Sequence, residues 1–255
     1  MKKLLYTLFL TGALFVSACE YDNESVAPGG TLNADGGGIN QGGSMARFSL
    51  SGDQLYTLSS NEMTNFDISN PEKITSQGST MLEWGAETLF PYNNHMFVGT
   101  MTGMLIYDLS DPANPKFVNR YEHVRACDPV VVQGNTAYVT IRNGTNCGGV
   151  NELHILDISD YSDIRQMAAY PMAHPHGLGV DGDNLFLCDG YNGLKVFDVS
   201  DPININQINH LEIGNTYDII PYSQLAIVVG SDKLIQYAYD SDGQMTELSS
   251  IIRTQ

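Results

Sequence analysis

The sequence contains few basic residues. Lys and Arg together number 12, against 29 Asp and Glu, so the formal net charge is −17 at pH 7. Nucleic acids and anionic lipid surfaces are bound mainly through Lys and Arg, so this charge argues against both as partners. This charge would suit a cationic partner or a metal ion; the favoured alternative is that Asp is frequent here because it forms turns. The sequence also lacks a phosphate-binding loop, a zinc-type cysteine cluster and a Gly-x-Ser-x-Gly motif.

No apolar run is long enough to span a membrane as a helix. The first apolar run of the chain, residues 4–16, follows Lys2 and Lys3 and precedes small residues, which is typical of a secretory signal peptide. The run ends in Val-Ser-Ala-Cys, which resembles the lipobox of bacterial lipoproteins. We therefore predict a signal peptide at residues 1–18 and a lipid anchor on Cys19, which would attach the protein to a membrane.

Residues 19–45 are rich in Gly, Asn and acidic residues and show no apolar period, so we expect a flexible tether. The acidic residues Glu20, Asp22 and Glu24 resemble the export signal of surface lipoproteins in Bacteroidetes-type bacteria. The predicted location is the cell envelope, as an outer-membrane lipoprotein on either the periplasmic side or the cell surface. The folded domain is expected at residues 46–255.

A short motif recurs through this domain as FDISNP, YDLSDP, LDISDY, FDVSDP and AYDSDG. Its first Asp residues are Asp67, Asp108, Asp157, Asp198 and Asp240, at spacings of 41, 49, 41 and 42 residues. A period near 42 residues with strand-like content is typical of a four-stranded propeller blade. We predict an all-β protein, a β-propeller of five four-stranded blades. The motif itself is expected to be a structural turn, because Asp accepts backbone hydrogen bonds there and Pro ends the strand.

The repeat L-x-[VI]-[YF]-D-[VIL]-S-[DN]-P also resembles the LVIVD-repeat family of bacterial and archaeal surface proteins, over roughly residues 46–240. The resemblance implies a propeller-like fold and little about function, because most members have no assigned activity. The folded region begins with a predicted first strand and ends with a fourth, so no strand is expected to be exchanged between the ends of the repeat array. We expect a ring sealed by side-chain packing, with an open stack or a ring completed by a partner as the alternative.

Three cysteines lie in the folded domain. Cys127, before a first strand, and Cys147, in a loop between second and third strands, are predicted on the same face of the propeller. An exported protein permits a disulfide between them. Cys188 falls inside a second strand and is expected to be a buried small hydrophobe.

A polar residue stands about twenty residues before each motif Asp, at the start of each predicted first strand. These residues are Arg47, Glu87, Asp128, His176 and Asp218. Because first strands line the channel of a propeller, they would form a ring at one mouth of it. Glu87, Asp128, His176 and Asp218 could bind a divalent cation there. The alternative is a solvated channel mouth that needs only polar lining.

The loops of the same face carry further candidates for ligand contacts at its rim: Trp84, Arg125, His174, Asp189 and Tyr191. An exposed aromatic side chain and several hydrogen-bond donors would suit a protein or glycan partner. For Trp84, packing between blades is the favoured alternative to exposure.

Three functions follow from these features. The favoured one is a lipid-anchored, non-enzymatic binding module that presents its loop-rich face to a protein or glycan. The second is a metal-dependent hydrolase of the propeller-lactonase type, with Glu87, Asp128 and Asp218 as ligands and His176 as ligand or base. The third is a structural envelope protein. The hydrolase is less favoured because Arg47 has the wrong charge for a metal ligand.

Overall fold

In a computed structural model of the protein, residues 43–122, 129–143 and 150–252 are described, and they form five four-stranded antiparallel sheets. The predicted all-β fold, a five-blade propeller, is confirmed. No helix in these three ranges is long and apolar enough to cross a membrane. Residues Gly36–Gln255 cluster as one compact unit.

The strands follow one another in the same order in every blade. The first blade comprises β1 (Phe48–Ser51), β2 (Gln54–Ser59), β3 (Glu62–Asp67) and β4 (Thr75–Met81). The second comprises β5 (Ala86–Tyr92), β6 (His95–Thr100), β7 (Gly103–Asp108) and β8 (Lys116–Glu122). The third comprises β9 (Val130–Gln133), β10 (Thr136–Ile141), β11 (Glu152–Asp157) and β12 (Arg165–Pro171). The fourth comprises β13 (Leu178–Asp181), β14 (Asn184–Cys188), β15 (Leu194–Asp198) and β16 (Asn206–Leu211). The fifth comprises β17 (Thr216–Tyr222), β18 (Leu225–Gly230), β19 (Lys233–Tyr239) and β20 (Met245–Ile252).

The recurring Asp motif forms the turn after each third strand, as the sequence predicts. Asp108 shows the arrangement: its Oδ1 accepts hydrogen bonds from the backbone N–H of Ser110 at 2.7 Å and from the Ser110 hydroxyl at 2.5 Å. These hydrogen bonds hold the pKa of the exposed Asp108 carboxyl below its usual value. The turn also joins neighbouring blades, because Asn65 of the first blade donates to the Pro112 carbonyl of the second at 2.5 Å. The motif is therefore structural.

Apolar clusters fill the seams between consecutive blades. Within the described residues there are four, and they join the first blade to the second, the second to the third, the third to the fourth and the fourth to the fifth. Each contains a large, buried residue from a second strand. These residues are Tyr56, Phe97, Tyr138 and Phe186, which are at most 3% exposed. Cys188 lies in the last cluster and is fully buried, as predicted.

The seam between the fifth and first blades is different. Ile227 occupies the position in the fifth blade that the buried Phe186 occupies in the fourth, and it is 39% exposed. Phe48 occupies the position in the first blade that the buried Leu89 occupies in the second, and it is 60% exposed. No apolar cluster of the described residues spans this seam. The prediction of a ring sealed by side-chain packing is therefore wrong at this seam.

Polar contacts near the centre do link the first blade to the others. The buried Ser44 accepts a hydrogen bond from the Leu178 N–H at 2.8 Å and donates to Asp218 Oδ1 at 3.2 Å. A Cβ at Gly43 would lie 2.0 Å from Asp218 Oδ2, so only glycine fits beside this carboxylate. The described residues thus include Gly43–Met45, three residues ahead of the predicted domain start at Ala46.

Several predicted residues lie outside the described ranges: Cys19, Arg125, Cys127, Asp128 and Cys147. The lipid anchor and the disulfide remain predictions.

Candidate functional site

His176 lies just before the first strand of the fourth blade, and hydrogen bonds fix the position of its backbone. Its N–H donates to the Cys188 carbonyl at 2.7 Å, and its own carbonyl accepts from the Thr140 hydroxyl of the third blade at 2.7 Å. The imidazole is buried, with its ring centre 5.4 Å from that of Tyr217 and 5.0 Å from that of His174. Its Nδ1 is buried and has no hydrogen-bond partner among the described residues.

The imidazole of His176 is neutral at pH 7. Burial and, to a smaller extent, the positive charge of Arg142 lower its pKa from 6.5 to about 4. A neutral imidazole can donate from one nitrogen and accept at the other. The unpartnered Nδ1 can therefore act as a donor or as an acceptor, depending on the tautomer.

Arg142 follows the second strand of the third blade and supplies the positive charge of the site. Its Nε is buried and also has no partner in the described part of the chain. Arg142 acts on Glu87 as well as on His176: burial raises the pKa of Glu87, and the charges of Arg142 and then Arg47 oppose that rise. A carboxylate, a guanidinium and a neutral imidazole are thus brought within electrostatic reach from three consecutive blades.

Asp189 is buried and shapes the loop that carries His174. It accepts hydrogen bonds from the backbone N–H groups of Ala173 at 3.1 Å and His174 at 2.7 Å, and forms an ion pair with Lys195 at 2.7 Å. Burial alone would raise its pKa, but the hydrogen bonds from Lys195, His174 and Asn192 outweigh burial, and the pKa lies below its usual value. Asp189 was predicted on the rim. The structure instead places it fully buried, where it positions His174.

Two aromatic side chains are exposed on the loops of this face. Trp84 is 70% exposed and Tyr191 is 72% exposed, so Trp84 does not pack between blades. The ring of Tyr191 stacks on His174 at 5.8 Å with an interplanar angle of 21°. A continuous series of rings therefore runs from the exposed Tyr191 through His174 to the buried His176.

The predicted ring of polar residues does not occupy one register. Glu87 and Tyr217 are the extra residues of β-bulges at the start of β5 and β17. When the blades are aligned by their strand pairing, Arg47 and Asp218 lie one position further along their first strands than Glu87 and His176. Successive side chains of a strand point to opposite faces, so a shift of one position turns a side chain to the other face. Asp128 lies outside the described residues.

Asp218 belongs to a different environment. Its carboxyl faces the chain around Ser44 and accepts hydrogen bonds from the Ile219 N–H at 3.0 Å and the Ser44 hydroxyl. Burial raises its pKa to about 6, although these hydrogen bonds oppose the rise. Asp218 therefore ties the first blade to the fifth.

The described residues contain no group of three His, Cys, Asp or Glu side chains that could hold a metal ion. The described part of the site instead combines a guanidinium, a neutral imidazole and the partly buried carboxylate of Glu87, which together can exchange hydrogen bonds with an organic ligand.

The sequence did not single out Arg142 or Tyr217. The available signal for Arg142 was its position: it is a lone Arg directly after a second strand, in a strongly acidic chain. Tyr217 could not be found because the bulge that directs it toward His176 leaves no signature in the sequence.

The comparisons with known proteins agree with the repeat pattern. A family model described as LVIVD repeat matches residues 42–81, 87–123, 125–170 and 176–209, more than half of the chain. No curated protein matches the sequence.

Several solved structures share the fold at low sequence identity. A functionally unknown protein from Desulfotomaculum acetoxidans has a TM-score of 0.64 and 11% identity, over 80% of this chain and 68% of that one. The periplasmic gluconolactonase of Pseudomonas aeruginosa has a TM-score of 0.59 and 13% identity, over 79% and 68%. AztD of Citrobacter koseri has a TM-score of 0.56 and 14% identity, over 80% and 61%. The matched region thus spans about two thirds of each solved structure, and at these identities the likeness shows the fold alone.

Proposed function

The chain belongs to the LVIVD repeat family, and we propose that it is a non-enzymatic, lipid-anchored binding module of the cell envelope that takes a glycan on its loop-rich face. The observation that carries the proposal is the pair of buried, unpartnered polar atoms, Arg142 Nε and His176 Nδ1, among the described residues of this face. A buried polar group without a partner costs about 1–3 kcal/mol, which a ligand that supplies the hydrogen bonds would recover.

The chemistry of these side chains favours a sugar that bears a carboxylate. Arg142 offers the planar donor geometry that carboxylates bind, and the neutral His176 and the partly buried Glu87 match sugar hydroxyl groups. The exposed rings of Trp84 and Tyr191 supply flat apolar surfaces for sugar rings. Aromatic and Arg side chains are also the residues that most often dominate binding energy at recognition surfaces.

The test is isothermal titration calorimetry on the fragment Gly36–Gln255, with short galacturonic acid oligomers as the probe and the corresponding neutral galactose oligomers as the comparison. We expect the acidic oligomers to bind and Arg142→Gln to weaken binding at least tenfold, which corresponds to about 1.4 kcal/mol. The matched control is Arg120→Gln, because Arg120 lies on an outer strand and pairs with Glu83 at 2.8 Å. Equal binding of acidic and neutral oligomers, or no effect of Arg142→Gln, would contradict the proposal.

The lipid anchor is tested separately by labelling cells with radioactive palmitate. We expect the wild-type chain to carry label and a Cys19→Ala variant to carry none. Label on both, or on neither, would show that Cys19 is not the site of lipidation.

A further inference from the structure

A third buried polar atom lies beside the candidate site. It is Oδ1 of Asn215, in the loop that precedes β17, and it has no hydrogen-bond partner among the described residues. The Nδ2 group of the same amide donates to the Tyr217 hydroxyl at 3.1 Å. Tyr217 in turn packs against the imidazole of His176, with the ring centres 5.4 Å apart and the ring planes at 76°. Asn215 and Tyr217 therefore extend the site from the fourth blade onto the fifth.

Hydrogen bonds to two blades fix the backbone of both residues. The Asn215 carbonyl accepts from the Ser231 N–H of the fifth blade at 3.0 Å. The Tyr217 carbonyl accepts from the Gly177 N–H, just before the first strand of the fourth blade, at 2.8 Å. A ligand would therefore meet two side chains whose positions are already set, which lowers the entropic cost of binding.

The two side chains together present one donor and one acceptor. An amide oxygen only accepts hydrogen bonds, so Asn215 Oδ1 needs a donor from the ligand. The Tyr217 oxygen accepts from Asn215 Nδ2, and its own proton is left to be donated. A ligand group that satisfies both atoms must therefore donate and accept at the same place.

We propose that Asn215 and Tyr217 form a subsite for one hydroxyl group of the ligand. Covalent geometry places Oδ1 about 2.2 Å from Nδ2, so Oδ1 lies within about 5.3 Å of the Tyr217 oxygen. A hydroxyl oxygen that makes two hydrogen bonds of ordinary length spans up to about 5.5 Å and can bridge the two atoms. A carboxylate has no proton for Asn215 Oδ1, and an ammonium group has no lone pair for the Tyr217 proton, so neither fits.

This subsite rests on the proposed function and narrows the class of its ligand. Arg142 is suited to a carboxylate, whereas the Asn215–Tyr217 pair is suited to a hydroxyl. His176 lies beside both, because its ring contacts Tyr217 and the charge of Arg142 acts on it. The ligand is therefore a hydroxy acid, such as a uronic acid sugar, with its carboxylate toward the third blade and its hydroxyl toward the fifth.

The test is isothermal titration calorimetry on the fragment Gly36–Gln255 with two probes: galacturonic acid oligomers, and the same oligomers with their ring hydroxyls methylated and their carboxylates free. Tyr217→Phe removes only the hydroxyl and keeps the ring against His176. We expect it to weaken binding of the unmodified oligomers by about tenfold, because Asn215 loses its partner and the ligand loses a donor. The methylated oligomers should bind the wild type about tenfold more weakly as well, since an ether cannot donate to Asn215 Oδ1.

The matched control is Tyr222→Phe, because Tyr222 ends the same strand, is 61% exposed and should leave binding unchanged. The inference is overturned if Tyr217→Phe binds as the wild type does, or if the wild type binds methylated and unmodified oligomers equally.

Neutral galactose oligomers separate this inference from the proposed function, because they keep the hydroxyls and lack the carboxylates. At millimolar concentration they should shift the side-chain amide signals of Asn215 in NMR spectra of the labelled fragment. If acidic and neutral oligomers bind equally and Tyr217→Phe weakens both, the carboxylate preference is wrong and the hydroxyl subsite stands. If the acidic oligomers need Arg142 but not Tyr217, the proposed function stands and the subsite is refuted. A wild type that binds neither probe refutes both.

Discussion

Asp218 and His176 should give the folded protein two opposing pH dependences in the same range. Burial raises the pKa of Asp218 from 3.8 to about 6, so the folded state binds a proton more tightly than the unfolded state. Its contribution to stability is therefore greatest below pH 4 and is lost as the pH rises to 6. Since one pKa unit corresponds to about 1.4 kcal/mol, the loss is about 3 kcal/mol.

His176 acts in the opposite direction. Burial lowers its pKa from 6.5 to about 4, so here the unfolded state binds the proton more tightly. Its contribution to the free energy of unfolding is complete above pH 6.5 and decreases by about 3 kcal/mol as the pH falls to 4. In the wild type the two contributions offset each other, and the free energy of unfolding should change little between pH 4 and 6.5 on their account.

Single substitutions separate the two contributions. Asp218→Asn keeps a side-chain oxygen for the Ser44 hydroxyl and removes the titration, so the stability of this variant should rise with pH over this range. His176→Asn should show the reverse, with stability that falls as the pH rises. The measurement is urea unfolding of the fragment Gly36–Gln255 at several pH values, with each variant compared with the wild type. A curve for Asp218→Asn that runs parallel to the wild-type curve would refute the argument.

Three further substitutions test the packing. Phe186→Ala removes a fully buried ring that meets Tyr239 at 4.8 Å and should lower the free energy of unfolding by about 3–5 kcal/mol in urea unfolding; a loss below 1 kcal/mol would contradict a packed seam. Asp189→Ala leaves Lys195 without its partner and should cost about 3–5 kcal/mol in the same assay, whereas Lys195→Met with Asp189→Leu should recover part of it. Asp108→Ala removes the acceptor of the Ser110 hydrogen bonds in an exposed turn and should lower the melting temperature by only a few degrees in a calorimetric scan; a large loss would mean that the turn does more than end a strand.

The fold could be predicted from the sequence because the determining signals are local and repeated. The Asp of each motif accepts a hydrogen bond from the backbone N–H two residues further on, as Asp67 does from the Ser69 N–H at 2.9 Å, so its role is readable from the chain alone. The period between motifs then fixes the number of blades. Neither signal depends on which blade lies next to which.

The open seam and the site depend on information that the sequence does not carry. Ile227 and Phe186 are both apolar residues at the same position of a second strand, and only the presence or absence of a neighbouring blade separates a buried from an exposed side chain. The bulges at Glu87 and Tyr217 shift the register by one residue, which a count from the motif Asp cannot detect. Asp189 could not be assigned to the interior from sequence because the ion pair with the mostly buried Lys195, which compensates its charge, forms only in the folded blade.

The central claim is that Arg142 and His176 bind the ligand directly, and nitrogen NMR tests it most directly. The Nε–H signal of Arg142 and the ring nitrogens of His176 are followed in the labelled fragment Gly36–Gln255 while galacturonic acid oligomers are added. We predict that both signals shift and saturate together, while the side-chain signals of Arg120 on the outer strand stay in place. Signals of Arg142 and His176 that do not move while the oligomers bind elsewhere on the protein would contradict the account.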